Sequence, residues 1–309
     1  MSTTPNLDYG SMGFKEIIVK LDGDNTIAII TLNRANERNT FSPLLVEEIV
    51  EVFGLLDRDD RVRVIIFTAD PSAPAFCSGA MLPQGDLGWS SLYQSEAERE
   101  GPQAHRDLGG VVTIAILRCR KITISAVNGH AVGAGITALQ LPFDFRLIWE
   151  GAKLAFPFVR RGIAPEACSS YLLPKLIGNS ASLGLFLSGD TYSPRHHFLQ
   201  PLYYSIHPNR SNVLPAALQL AYDLAENTSQ PAIAMTKALV WRGKDTIEEQ
   251  HLLESLVFRG LSGAGDGNEG VRAFKERRKV GFEDKLGDMK GELRPWWTEV
   301  DIRHRKAKL

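Results

Sequence analysis

The stretch that most constrains this chain is Asn128-Gly129-His130-Ala131-Val132-Gly133-Ala134-Gly135, directly after the strand pattern Ile122–Val127. A buried strand thus runs into a turn of small residues, and the pattern continues as a helix start. Small residues let another group approach the backbone closely. Free N–H groups at such a turn suit an anion, or an oxygen on which negative charge develops. Three readings compete. A dinucleotide fingerprint needs a third glycine where Ala138 stands, and no acidic residue follows at the expected distance. A phosphate-binding loop needs Gly-Lys-Ser/Thr, which is absent. A plain packing turn between helix and strand remains. A second turn of the same character, Ala75-Phe76-Cys77-Ser78-Gly79-Ala80, follows the apolar run Val62–Thr68. Two such turns can aim two N–H groups at one point, which is what an oxyanion hole requires.

The surrounding pattern predicts an α/β fold. Glu16–Leu21 and Thr26–Leu32, with Gly23 and Asp24 between them, read as a hairpin. Ser42 and Pro43 open a helix whose apolar face carries Leu45, Ile49, Val52, Phe53 and Leu56. Residues 70–90 read as a loop and 103–118 as a helix, and Phe145–Trp149 reads as a further strand. After Pro208 the pattern becomes helical, over Leu214–Glu226, Pro231–Trp241, Thr246–Leu261 and Gly270–Arg278. Two regions follow: a core over 1–205 and a helical region with a basic tail over 206–309.

Composition narrows the class. The 309 residues are 44% hydrophobic and carry a formal charge of −1, ordinary for a globular protein. That balance argues against a nucleic-acid coat. No apolar run approaches the ~18 residues that span a bilayer, so no membrane is expected. Cys77, Cys119 and Cys168 are too far apart for a disulfide framework or a metal spacing. His196-His197 lacks further ligands at a useful spacing. His105-Arg106-Asp107 resembles a kinase loop only until its missing companions are sought.

Leu32-Asn33-Arg34, Arg38-Asn39, Phe76 to Ala80 and Asn128 to Gly135 together resemble the ordered signatures of the crotonase superfamily, the enoyl-CoA hydratases and isomerases. Arg160 to Tyr171, with Glu166 in it, is similar to a segment of peroxisomal Δ3,Δ2-enoyl-CoA isomerases, and Gly270-Val271 with Phe274 and Arg278 looks like the superfamily's C-terminal helix. The resemblance covers about residues 14–282. It implies a crotonase-like spiral of ββα units with a C-terminal helical trimerisation region. It also implies an acyl-CoA substrate, held by oxyanion amides at Ala80 and Ala134. Coenzyme A would enter as part of the substrate, with no other cofactor and no metal. The hydratase glutamates fall on Thr137 and Phe158, while Glu166 falls on the isomerases' single catalytic glutamate. The implied reaction is therefore a Δ3 to Δ2 double-bond shift, with Glu166 shuttling the proton.

Arg38, Thr40, Ala80, Met81, Gly133, Ala134 and Lys275 are the implied acyl-CoA contacts. Met81 stands where the family often has Asp. Met81, Trp89 and the 84–104 loop are expected to shape the acyl pocket. The segment from Thr137 to Asp144 is one residue longer than the family pattern, predicting a bulge. The resemblance further implies homotrimers or hexamers. The ending Ala307-Lys308-Leu309 resembles a peroxisomal address, which would engage the import receptor; the other reading is a solvated basic tail on a cytoplasmic protein. Two alternatives stay open. One is an enoyl-CoA hydratase or lyase of a specialised biosynthetic or fatty-acid pathway. The other, of a different class, is a non-catalytic CoA- or RNA-binding paralogue.

Overall fold

A computed structural model describes residues 7–81, 105–289, 293 and 295–302. Trp89, the whole 84–104 loop and Ala307-Lys308-Leu309 lie outside the described residues.

The hairpin forms as expected: β1 (Ile17–Asp22) pairs antiparallel with β2 (Ile27–Leu32). The chain then enters α1 (Pro43–Arg58), whose first turn is capped by Ser42 Oγ accepting from the Leu45 N–H at 3.0 Å. Its face Leu45, Ile49, Val52, Phe53 and Leu56 is fully buried. Strands β3 (Val64–Ala69) and β4 (Ile122–Val127) are buried at every position, as central parallel strands covered on both faces must be. Between them α2 (Leu108–Arg118) is capped by Asp107. The connection after β4 carries β5 (Ala131–Val132) and the single-turn helix α3 (Ala134–Thr137). Next come β6 (Phe145–Trp149) and β7 (Leu154–Ala155), then α4 (Ser169–Ile177) and α5 (Asn179–Ser188), then β8 (Thr191–Tyr192) and β9 (Ser205–His207). Helices α6 (Val213–Asn227), α7 (Gln230–Trp241), α8 (Ile247–Ser262) and α9 (Gly265–Glu276) follow.

The main sheet runs β1-β2-β3-β4-β6-β9, parallel from β2 onward, and β5-β7-β8 make a second small sheet. This is the mixed α/β, parallel-sheet architecture that the sequence pattern predicts. Three details differ from expectation. The α3 helix has one turn, so its end gives no sustained dipole. The donors there are individual amides. The boundary expected at 205/206 falls inside β9, which pairs with β6. Helix α6 also belongs with the sheet, because Val213, Ala217, Ala221 and Ala225 share a core with Ile66, Ile124 and Leu147. The two-residue strands are too short to show a period. After α3, the Ile136 carbonyl accepts from both Gln140 (3.0 Å) and Leu141 (3.2 Å). This is the one-residue widening that the extra length predicts.

Helix α7 is tied to the sheet by polar contacts. The Lys237 ammonium reaches Asp144 Oδ2 and the Lys121 carbonyl, each at 2.7 Å. Lys121 is itself buried, and its ammonium donates to the Asp59 carbonyl and to Gln230. At the far end Trp296 donates to the Arg242 carbonyl at 2.8 Å, and Arg242 lies over the Trp297 ring. The tryptophan pair therefore packs on the body.

Candidate active site

Two loops leave the sheet after β3 and β4 and lie backbone against backbone. Cys77 bridges to Ala131, and the Phe76 and Cys77 N–H groups donate to the His130 carbonyl. A Cβ on Gly129 would sit 2.5 Å from the Phe76 nitrogen, and one on Gly135 would overlap the Cys77 carbonyl. Glycine is thus required at both positions by contact. Gly79 adopts φ +93°, and a Cβ there would lie 2.8 Å from the Val132 carbonyl and 4.0 Å from the Ala134 nitrogen.

Asn39 sets the first loop in place. It is fully buried at φ +53°, and its amide donates to the Ala75 and Phe76 carbonyls, each at 3.1 Å. Phe41 then pairs with Ala80: its N–H donates to the Gly79 carbonyl, and its carbonyl accepts from Met81. That pairing turns the Ala80 N–H away from Phe41. Neither the Ala80 nor the Ala134 N–H takes part in these ladder bonds. Both residues line one cavity of about 440 Å³.

Glu166 lines the same cavity and holds a carboxyl there. Thr137 Oγ1 donates to its Oε1 at 2.9 Å. Burial, first, and the Asp107 carboxyl beside it, second, push the Glu166 pKa up to about 8, against the opposing bond from Thr137. Phe158, where the second hydratase carboxylate would stand, is an apolar wall packed on Phe186.

The structure therefore brings Ala80, Met81, Gly133, Ala134 and Glu166 together around one cavity. Arg38 is exposed and Thr40 half-buried on the strip beside the first loop, where the Arg38 carbonyl accepts from Ser78. Lys275 sits on the exposed face of α9 and is not among the residues that line the cavity.

Asp107, met in the sequence only within the rejected kinase-like run, is a cavity residue that the sequence alone does not place in the site. Asp107 caps α2 through Gly110 and also accepts from the Ala167 N–H at 3.0 Å. Its signal is the run Asp107-Leu108-Gly109-Gly110, a capping acid followed by two glycines that weaken a first turn. Gly109 is small because Glu166 presses on it: a Cβ there would overlap Glu166 Oε2 and meet the Ala167 Cβ at 2.9 Å.

Comparison with known proteins agrees with this geometry. The family profile described as Enoyl-CoA hydratase/isomerase matches residues 22–285. The chain belongs to the enoyl-CoA hydratase/isomerase family. Within it, this family member is 38% identical over 276 residues to the enoyl-CoA hydratase AFT3-1 of Alternaria alternata, covering 89% of each chain. It is 28% identical over 269 residues to the 1,2-epoxyphenylacetyl-CoA isomerase of Escherichia coli strain K12, covering 84% of this chain and 95% of the other. Among solved structures, a probable enoyl-CoA hydratase/isomerase from Mycobacterium abscessus superposes with a TM-score of 0.73 at 32% identity. That match covers 86% of this chain and 97% of the other. The crotonase-type fold and the acyl-CoA class of chemistry stand on these matches together. The names span both hydration and isomerisation, so the choice between them falls to the residues of the cavity.

Proposed function

We propose that this enoyl-CoA hydratase/isomerase family member shifts a double bond from the Δ3 to the Δ2 position of an enoyl-CoA. The observation that carries this reading is Thr137. A hydroxyl, donating to Glu166, stands where the first water-activating carboxylate of a hydratase falls. The apolar Phe158 stands at the second. In the isomerisation, the ionised Glu166 takes a proton from C2 of the bound thioester. The electron pair moves onto the thioester oxygen, held by the Ala80 and Ala134 N–H groups. Each such donor is worth about 3–4 kcal/mol at a developing oxyanion. Glu166 then returns the proton at C4 and is restored. The raised pKa makes Glu166 a stronger base once ionised, as proton abstraction from carbon needs. Arg38, Thr40 and Lys275 are the cations and hydroxyl that this reading assigns to the CoA portion, Lys275 reaching it from an exposed helix face. Self-association through α8 and α9, whose exposed faces carry Ile247, Phe258 and Phe274, goes with the same reading.

The second reading is hydration. The name of the Alternaria alternata relative favours it over isomerisation, and Asp107 supplies a second carboxyl in the same cavity. One experiment separates the two. The purified protein is incubated with a trans-3-enoyl-CoA and a trans-2-enoyl-CoA, followed by mass and ultraviolet absorbance, with Glu166→Gln alongside. An ultraviolet shift at constant mass, lost in the variant, is the outcome expected. A gain of one water on the 2-enoyl substrate replaces the isomerase reading with hydration.

A further inference from the structure

Glu166 sits on a backbone that would not hold its shape unaided. The two residues after it, Ala167 and Cys168, both adopt left-handed conformations, φ +60° and +56°, and neither is glycine. Such residues persist where the surroundings over-determine them. Here the surroundings are specific. Asp107 Oδ1 accepts from the Ala167 N–H at 3.0 Å and from the Gly110 N–H at 2.6 Å. Thr113, one turn further along α2, donates to the Ala167 carbonyl at 3.2 Å. Ser169 Oγ donates back to the Glu166 carbonyl at 2.6 Å. The first turn of α2 thus grips the turn that carries Glu166, and Gly109 lets the two approach.

The Asp107 carboxyl also lines the same cavity as that of Glu166, and after burial it is the next cause that raises the Glu166 pKa. A like charge nearby disfavours the ionised form, so the Asp107 charge favours the protonated form of Glu166. The other groups facing Glu166 do not take over this role. Thr137 on α3 has no charge to lose. Cys77, from the loop after β3, is fully buried with its thiol pushed up to about 12, and burial likewise raises Cys168. Arg106 and His105 line the cavity from the Asp107 segment, and the Arg106 guanidinium is engaged with the Ile302 and His105 carbonyls. Arg161 lines it as well.

We propose that Asp107 is the positioning partner of Glu166: one carboxylate caps α2, clamps the strained Glu166 turn and sets its charge beside the proton that Glu166 moves. The proton-moving part rests on the proposed function; the carboxyl pairing stands without it. An acid–base pair of this kind is tuned by removing one charge. Asp107→Asn keeps an oxygen to accept from Gly110 and Ala167, and its amide donates to Glu166, which favours the ionised form. Asp107→Ser keeps a capping oxygen without the charge.

The test is a direct titration. Protein labelled at the glutamate carboxyl carbon is followed by NMR across neutral and alkaline pH, with Glu166→Gln identifying the resonance. Glu166 in the parent is expected to titrate near pH 8, and in both Asp107 variants at least about one unit lower, a tenfold loss of proton affinity. In parallel, the rising limb of kcat/KM against pH is expected to move to lower pH by the same amount. Loss of rate without movement of the limb or the resonance would overturn the proposal and leave Asp107 a helix cap. Should Asp107→Asn not fold, Asp107→Ser decides alone. Should the parent act on neither enoyl-CoA, the functional reading fails, while the titration still decides the pairing.

Discussion

Glu166 costs the fold something in order to be useful. Its carboxyl is carried from an ordinary 4.5 to about 8, chiefly by burial and then by Asp107. Between those two values the folded protein binds a proton that the unfolded chain has lost, so stability falls as pH rises through that window. Glu166→Gln removes the titration. The variant is expected to gain stability over the parent from pH ~5 to pH ~8, on the order of 2 kcal/mol after screening. It should meanwhile lose about a thousandfold in isomerisation rate. Urea unfolding at a series of pH values checks the first, and a flat difference between the two proteins would show that Glu166 is not proton-loaded. Gly109→Ala isolates position from chemistry. Alanine favours the helix by about 1 kcal/mol, while its Cβ presses Glu166 Oε2 and the Ala167 methyl. Stability should change by less than about 1 kcal/mol and kcat/KM should fall at least a hundredfold. Thermal melts and steady-state kinetics on the same preparation separate the two effects.

At the scale of elements, the two loops after β3 and β4 make one backbone-to-backbone unit. A Gly135→Ala side chain would meet the Cys77 carbonyl, a backbone atom with little room to retreat. The expected cost is about 1–3 kcal/mol, with loss of activity because the Ala134 amide moves. A variant with parental denaturation midpoint and activity would show that the loops yield freely. Much of this unit is legible in the sequence, since Gly129, Gly133 and Gly135 follow a short strand of β-branched and small residues. The hairpin, α1, β3, β4 and β6 are legible for the same reason: each has several buried positions at one period. The strands β5, β7 and β8 are not, having two residues each. Asp107 escapes for another reason. Its partner Ala167 lies 60 positions away, and no local pattern distinguishes an acid that caps a helix from one that also grips a distant turn.

For the whole molecule, the C-terminal helices show an inverted burial pattern. Helix α9 buries Asp266, Glu269 and Ala273 while Phe274 is 85% exposed and Val271 more than half exposed. Helix α8 buries Leu253 and Val257 yet leaves Ile247, Leu252 and Phe258 at 70–86% exposure. The buried acids find partners within the chain, although Asp266 Oδ2 is left without a hydrogen bond. Glu269 is bound by Arg272 and Arg278, and Asp266 accepts from the Glu283 and Asp284 N–H groups. The apolar side chains have no such account in a single chain. At about 25 cal/mol per Å² of apolar surface, covering several of them repays much of the entropy of association, so a second copy is the occupant that the geometry favours. Light scattering should return a mass that is a multiple of the 34.1 kDa chain, with three copies expected. Phe258→Glu with Phe274→Glu should return one chain with an unchanged circular dichroism spectrum. If CoA binding draws Lys275 from a neighbouring copy, the double variant should also raise KM more than it lowers kcat. A parent already monomeric at working concentration would place those phenylalanines elsewhere in its biology and leave Lys275 out of the site.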